Sequence, residues 1–224
     1  MSTPEDTFLV GYADDIAALI TAKSTESAQR KLNQLMKRLL PWMQEHGFSL
    51  AMQKTEIVVL TGKRIRLKIP FEVGMEIGTS KRVVKHLGIN LDSRLSFWDH
   101  IVLASEKAAK VNRALGKLMS NTGGPLQSKR RLLIVASQAI LLYGSELFAE
   151  ALKKEKYRKR MAATQRLGAL RIASSYQTVF EPAIMVIAGV TPIDLVAMER
   201  RKTYQNKTSE DQKLIKKQQK NAQG

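Results

Sequence analysis

The sequence contains no cysteine, which excludes a disulfide framework and any thiolate metal site. Its three histidines, His46, His86 and His100, offer no metal-binding spacing. Aromatic residues are scarce at 6%, so a core must rest mainly on Leu, Ile, Val, Ala and Met. No apolar run approaches the roughly 20 residues needed to cross a bilayer. The polar, acidic start MSTPEDTF has the form of neither a signal nor a transit peptide. An intracellular setting in nucleus or cytoplasm, with no membrane partner, is therefore expected, and the absent disulfides fit a reducing compartment. Acidic residues are the remaining shortage, because 20 Asp and Glu face 37 Lys and Arg for a formal charge of +17. A balance this basic draws a chain to polyanions, of which nucleic acid is the usual one. The blander reading is a surface of solvating lysines.

What is present is ample apolar material, 44% of 224 residues, enough for one core or two small ones. Residues 7–20, TFLVGYADDIAALI, read as two short apolar strands around a polar centre, a hairpin with Asp14-Asp15 at its turn. Ala28, Leu32, Leu35, Met36, Leu39 and Leu40 recur at helical period within 25–46, with Ser24 or Thr25 as cap and His46-Gly47 as stop. Pro41 falls inside that pattern and is expected to kink or break it. Strands are expected at 55–60, 65–70 and 86–91, with 74–77 pairing with the second. Beyond residue 95 the segments 97–120, 126–150, 153–175 and 192–220 are helix-compatible, separated by Thr122-Gly123-Gly124-Pro125, Glu181-Pro182 and Thr191-Pro192. The expected organisation is an α+β part over 1–95, a helical part over 96–200 and a basic polar tail over 201–224. Between Lys153 and Arg171 there are eight basic residues and one acid, and from Arg200 onward eight basic and two acidic. Helices of this kind follow phosphate backbones by charge neutralisation. For the tail, a disordered solubilising end is an equal alternative.

The chemistry sits at Tyr12-Ala13-Asp14-Asp15. Nucleotide polymerisation needs two divalent cations about 4 Å apart, and hard cations such as Mg²⁺ take carboxylate oxygens. A tight hairpin turn fixes its tip and presents turn carboxylates to a cleft. Two adjacent carboxylates between apolar strands would otherwise be electrostatically unfavourable. In a chain with five Tyr, a chance Tyr-x-Asp-Asp is expected roughly 0.005 times. Plain turn chemistry is the competing explanation. Trp42 and Trp98 lie near apolar helical positions and read as core, His86 and His100 as structural or surface residues.

GYADDIAALI resembles the catalytic box of reverse transcriptases from non-LTR, LINE-type, jockey-like retrotransposons. Gly47-Phe48-Ser49-Leu50 with Lys54-Thr55-Glu56 is similar to the motif that follows that box. Lys85-His86-Leu87-Gly88-Ile89-Asn90-Leu91-Asp92 looks like the primer-grip segment, and Leu141-Leu142-Tyr143-Gly144, Gln165-Arg166-Leu167 and Ala188-Gly189-Val190-Thr191-Pro192 resemble the thumb. The resemblance covers roughly residues 8–200. It implies a partial palm (catalytic hairpin, helix and short strands) followed by a helical thumb and C-terminal helices. It implies an RNA-directed DNA polymerase that uses Mg²⁺, an RNA template and a DNA primer or target. Asp14 would be the metal ligand and Asp15 its supporting carboxylate. Tyr12 would pack beneath the nucleotide and primer end, and Lys54 would approach the triphosphate. Leu87 and Gly88 would hold the primer terminus. Lys153, Lys154, Lys156, Arg158, Lys159 and Arg160 would follow nucleic acid. The blander alternatives are a solvated lysine after a loop for Lys54, an ordinary buried strand residue for Leu87 and a backbone-permissive one for Gly88.

The family places fingers, a further metal-binding aspartate and a nucleotide-selecting motif ahead of the Tyr-x-Asp-Asp box. The expectation is thus a C-terminal piece that binds Mg²⁺ weakly or not at all and is inactive alone. The rival from another class is a non-catalytic, basic nucleic-acid-binding remnant. A third reading is a product that does not fold stably, since an unpaired sheet edge is a liability.

Overall fold

The alternation of residues 7–20 does fold as a hairpin. In the computed structural model, which describes residues 6–62, 70–73, 76–120 and 124–221, β1 (Thr7–Tyr12) pairs antiparallel with β2 (Asp15–Ile20). The chain divides into two compact units, Met1–Leu95 and Ser96–Gly224.

In the first unit, α1 (Thr25–Glu45) starts where the Ser24 hydroxyl accepts from the Ser27 N–H at 3.2 Å, satisfying one orphan donor of its first turn. The helix runs unbroken through Pro41, contrary to the expected break. The apolar stripe explains this, because Leu35, Met36 and Leu39 before the proline and Met43 after it are all buried on one face. Gly47 at φ 73 stops the helix, with the Phe48 N–H donating to the Met43 carbonyl and the Gly47 N–H to that of Gln44. The stripe packs on Val73, with Leu9, Leu50 and Ile57 at its margin.

The later strands depart from the sequence reading. Of 55–60, only Val58 makes a single parallel bridge, with Lys81. Residues 65–69 lie outside the described residues. β3 (Pro70–Val73) shares only Pro70 with the expected strand over 65–70 and pairs with β4 (Glu76–Thr79), which lies two residues later than the expected 74–77. The single strand expected over 86–91 is instead part of a hairpin, β5 (Val83–His86) with β6 (Ile89–Asp92). Its reversal at Leu87-Gly88 has φ values of 45 and 83, both left-handed, as a two-residue turn of this kind requires. Leu87, an apolar residue in a turn, hid the reversal. Among the described residues the strands form three separate two-stranded sheets. The open outer edge of β3 is occupied by a side chain: the Gln29 amide donates to the Glu72 carbonyl at 3.0 Å and accepts from its N–H at 3.1 Å.

The second unit is helical: α2 (Trp98–Gly116), α3 (Gln127–Leu141), α4 (Ser145–Phe148), a 3₁₀ turn at Ala149–Lys153, α5 (Glu155–Ile172), α6 (Glu181–Ala188) and α7 (Ile193–Asn221). α6 starts at Glu181-Pro182, which the sequence presents as punctuation; proline is tolerated in a first turn because its missing N–H would be unpaired there anyway. One core gathers Ile101, Leu141, Phe148, Leu152, Met161 and Ile193, another Met119, Ile134, Leu170, Ile172, Ile184 and Met185. A Cβ at Gly168 of α5 would lie 2.8 Å from Ile134 of α3, so glycine sets how closely these helices approach. Among the described residues no single helix is long and apolar enough to cross a membrane.

Polar side chains join the helix ends. Arg130, only 3% exposed, donates to the carbonyls of Pro125 at 2.7 Å, Arg171 at 3.1 Å and Ser120 at 2.6 Å. Gln165, also buried, donates to the Thr191 carbonyl at 2.7 Å and accepts from the Ile193 N–H at 2.9 Å, fixing the start of α7. His100 is buried against the Phe148 ring, and its Nε2 lies 3.4 Å from the Tyr143 carbonyl, which can only accept. Burial, and secondarily the charge of Lys107, hold the His100 imidazolium pKa below its ordinary value.

Two outcomes are expected. Arg130→Met strands three buried carbonyls and is expected to cost about 3 kcal/mol or more in urea unfolding of the chain. For His100 the unfolded chain binds the proton more readily than the folded one. Its contribution is therefore fully present above the unfolded value of 6.5 and is lost as pH falls below it. His100→Gln is expected to flatten that part of a thermal-midpoint profile against pH, and an unchanged acid slope would contradict the assignment.

Candidate functional site

The tip of the first hairpin is a two-residue loop, Ala13-Asp14, closed by the pair Tyr12–Asp15. Ala13 takes a left-handed φ of 53, a conformation that a non-glycine residue adopts at some cost and that a tight reversal requires. Cross-strand pairing puts Tyr12 and Asp15, Val10 and Ala17, and Phe8 and Leu19 opposite one another. That face is largely in solvent: Tyr12 is 68% exposed and Phe8 and Val10 62% each.

Asp14 and Asp15 are exposed, and among the described residues neither carboxylate has a hydrogen-bond or ion-pair partner. The repulsion argued from apolar flanking strands therefore does not apply, because water screens the two charges. Tyr12, Asp14 and Asp15 are brought together by the turn itself. Lys54 ends an exposed 3₁₀ turn, Met52–Lys54, and its side chain makes no hydrogen bond or ion pair with the tip. Leu87 and Gly88 occupy the turn of the β5–β6 hairpin, so Leu87 is neither a buried nor a mid-strand residue. Among the described residues no group of three His, Cys, Asp or Glu is placed to hold a metal ion.

The basic residues of the second unit sit where the 3₁₀ turn leads into α5. Lys153, Lys154, Lys156, Arg158, Lys159 and Arg160 are all exposed, but half of them are neutralised locally. Lys153 pairs with Glu150 at 2.6 Å, Lys159 with Glu155 at 2.8 Å and Arg160 with Glu106 at 3.2 Å. Hydrogen bonds from Lys153 and Lys159 hold the Glu150 and Glu155 carboxyls below the usual carboxylate range. Lys156 lies 4.3 Å from the centre of the Trp98 ring and Lys154 5.2 Å from that of Tyr157, with the two rings 4.8 Å apart. Trp98 is thus a half-buried platform beneath a lysine rather than plain core. Trp42 also departs from the core expectation: it is 38% exposed and stacks on His46 at 4.4 Å and on Phe48 at 6.5 Å.

Missed altogether in the sequence is a cavity between α2, α5 and the loop after α5, where Arg113, Arg171 and Tyr176 meet. Arg113 and Tyr176 are 63 positions apart in the chain, and no local pattern joins them.

Because Asp14 is solvated and unpartnered, Asp14→Asn is expected to shift unfolding stability by no more than about 0.5 kcal/mol. A large loss in denaturant unfolding would show that the carboxylate holds the turn together and would favour plain turn chemistry.

No protein-family model matches the chain, and no solved structure matches it. Curated relatives do. The chain is 25% identical over 199 residues to a retrovirus-related Pol polyprotein from the type-1 retrotransposable element R1 2 of Nasonia vitripennis, covering 86% of this chain and 48% of that one. It is 28% identical over 190 residues to a putative 115 kDa protein in the type-1 retrotransposable element R1DM of Drosophila melanogaster, covering 84% of this chain and 18% of the relative. It is 27% identical over 172 residues to a probable RNA-directed DNA polymerase from transposon BS of Drosophila melanogaster, covering 76% and 19%. The chain thus spans about half the length of these relatives or less. The ordered motifs from the Tyr-Ala-Asp-Asp tip onward and this shared sequence lead to one conclusion: the chain is a homologue of the Pol polyproteins of R1-type, non-LTR retrotransposable elements.

Proposed function

We propose that this chain carries the catalytic hairpin and a nucleic-acid-binding helical part of an RNA-directed DNA polymerase that copies RNA from a DNA primer. The observation that supports it is the tip itself, two unpartnered carboxylates on a two-residue turn with Tyr12 beside them. In this reading Asp14 is the metal ligand and Asp15 supports it, while Tyr12 lies under the nucleotide and primer end. Lys54 approaches the triphosphate, and Leu87 and Gly88 steady the primer terminus. Asp14 and Asp15 offer the hard oxygens that Mg²⁺ takes, so the donor chemistry fits one ion. A pair of such ions would supply activation of the primer hydroxyl and charge neutralisation on the phosphates. The described residues provide no third ligand, so the fit to a pair is incomplete. That same absence, together with the exposed basic start of α5, favours a second reading in which the 224-residue chain on its own binds nucleic acid without catalysis.

Primer extension separates the two. The 224-residue chain alone is expected not to extend an RNA template with Mg²⁺ or Mn²⁺. Fusing the fingers and front palm of a related polymerase ahead of Thr7 is expected to give extension that Asp14→Ala abolishes. Robust extension by the unfused chain, lost in Asp14→Ala, would overturn the second reading. A folded fusion that stays silent, while the chain still binds nucleic acid in a salt-dependent way, leaves the second reading.

A further inference from the structure

We infer that the cavity between α2 and α5 takes a phosphodiester of single-stranded nucleic acid, with Arg113 and Arg171 on the phosphate and the adjoining base on Tyr176. The inference rests on the nucleic-acid reading above and assigns it a second, structured contact within the helical unit.

The cavity measures about 200 Å³ and is lined by both arginines, Tyr176, Asn112 and, as its apolar wall, Leu167 and Leu170. At ~30 Å³ of liquid per water, that is room for about six waters, or for a phosphate with part of its hydration shell. Arg113 and Arg171 stand in the last turns of α2 and α5, where a helix end favours a cation. That preference accounts for each arginine singly. It does not by itself bring the two to one cavity, where water screens their mutual repulsion and an anion would be drawn to both.

The contrast with the neighbouring arginines is informative. Arg130, Arg131 and Arg166 each donate to backbone carbonyls. Arg113 and Arg171 have not: among the described residues neither guanidinium has an acceptor or an acidic partner. Arg171 passes over Gly116 instead, its Nε 3.3 Å, Cζ 3.6 Å and one outer nitrogen 3.8 Å from where a Cβ would stand, with its N–H groups not committed to any acceptor among the described residues. A planar fork of donors suits phosphate oxygens.

The wall that carries Tyr176 is built rather than loose. Ser174 takes a left-handed φ of 52, the Ser175 N–H donates to the Leu170 carbonyl at 3.0 Å, and Arg166 donates to the Gln177 and Val179 carbonyls. Tyr176 is nonetheless 83% exposed, a ring held at the rim of a cationic cavity with nothing packed over it. A ring so placed stacks on an unpaired base, whereas the bases of a duplex have their faces covered.

The test uses the whole 224-residue chain, fluorescent single-stranded and duplex oligonucleotides, and anisotropy titrations across salt. Arg113 and Tyr176 are exposed, so R113Q, Y176A and the double variant are expected to keep the helical circular dichroism of the parent. Y176A is expected to weaken single-strand binding about fivefold or more and leave duplex binding nearly unchanged. R113Q is expected to lower the dependence of single-strand affinity on salt by about 0.7 in log–log slope. An oligonucleotide carrying 5-iodouracil is expected to crosslink to Tyr176. Single-strand binding by R113Q/Y176A equal to the parent, or an equal loss on single strand and duplex, overturns the cavity assignment while the nucleic-acid reading stands. A parent chain that binds neither oligonucleotide at low salt overturns that reading, and this inference with it.

Discussion

The helical unit depends on a guanidinium buried without any carboxylate. Helix C-termini leave carbonyls with no intrahelical donor, and where several ends converge in a dry interior water does not reach them. Arg130 answers this for three chain segments at once, taking carbonyls from the end of α2, the approach to α3 and the end of α5. Arg131 repeats the device on Ala188, the last residue of α6, and Arg200 on Leu142, just past α3. Each cation also sits at the negative end of a helix dipole. The close approach of α3 and α5 at Gly168 and Ile134 is possible because their ends are tied in this way as well as packed.

The first unit is held more loosely. Three hairpins that share no sheet each leave edges open, and a lone hairpin in water is marginal without a covered face. α1 supplies that cover through Met36, Leu39 and Met43, but it reaches β1 only through the margin residue Leu9. Phe8, Val10 and Tyr12, on the other side of β1, remain in water. The tip is thus geometrically defined by its turn and energetically supported by very few contacts.

How much of this was legible varies with the range of the signal. The first hairpin, α1 with its Ser24 cap and the helical character beyond residue 95 rest on period and capping, which are local, and all were readable. Pro41 does not break α1, one of the two outcomes expected of it, because burial along a stripe outweighs one lost hydrogen bond. The Leu87-Gly88 reversal was hidden by an apolar turn residue, and the expected strand at 55–60 has, among the described residues, no partner beyond the Val58–Lys81 bridge, which no window of sequence reveals. At the candidate site, Tyr12, Asp14 and Asp15 are neighbours in the chain and so were visible. Whether Lys54 joins them depends on tertiary placement. The pairing of Lys153, Lys159 and Arg160 with Glu150, Glu155 and Glu106 is equally invisible to a charge count, as is the meeting of Arg113 with Tyr176.

The arginines bonded to carbonyls also show that the charge of the molecule acts in two ways. A guanidinium bonded to carbonyls keeps its full positive charge, so Arg130, Arg131, Arg166 and Arg200 still add to the long-range field that speeds the approach of a polyanion. Arg130, buried and bonded to three carbonyls, is out of reach of direct contact with any polyanion, whereas the exposed Arg131 and Arg200 keep N–H donors to spare. Encounter rate and residence time are therefore governed by different subsets of the 37 basic residues. Substitution of Arg130 would alter the folding of the unit long before it altered any contact with a polyanion.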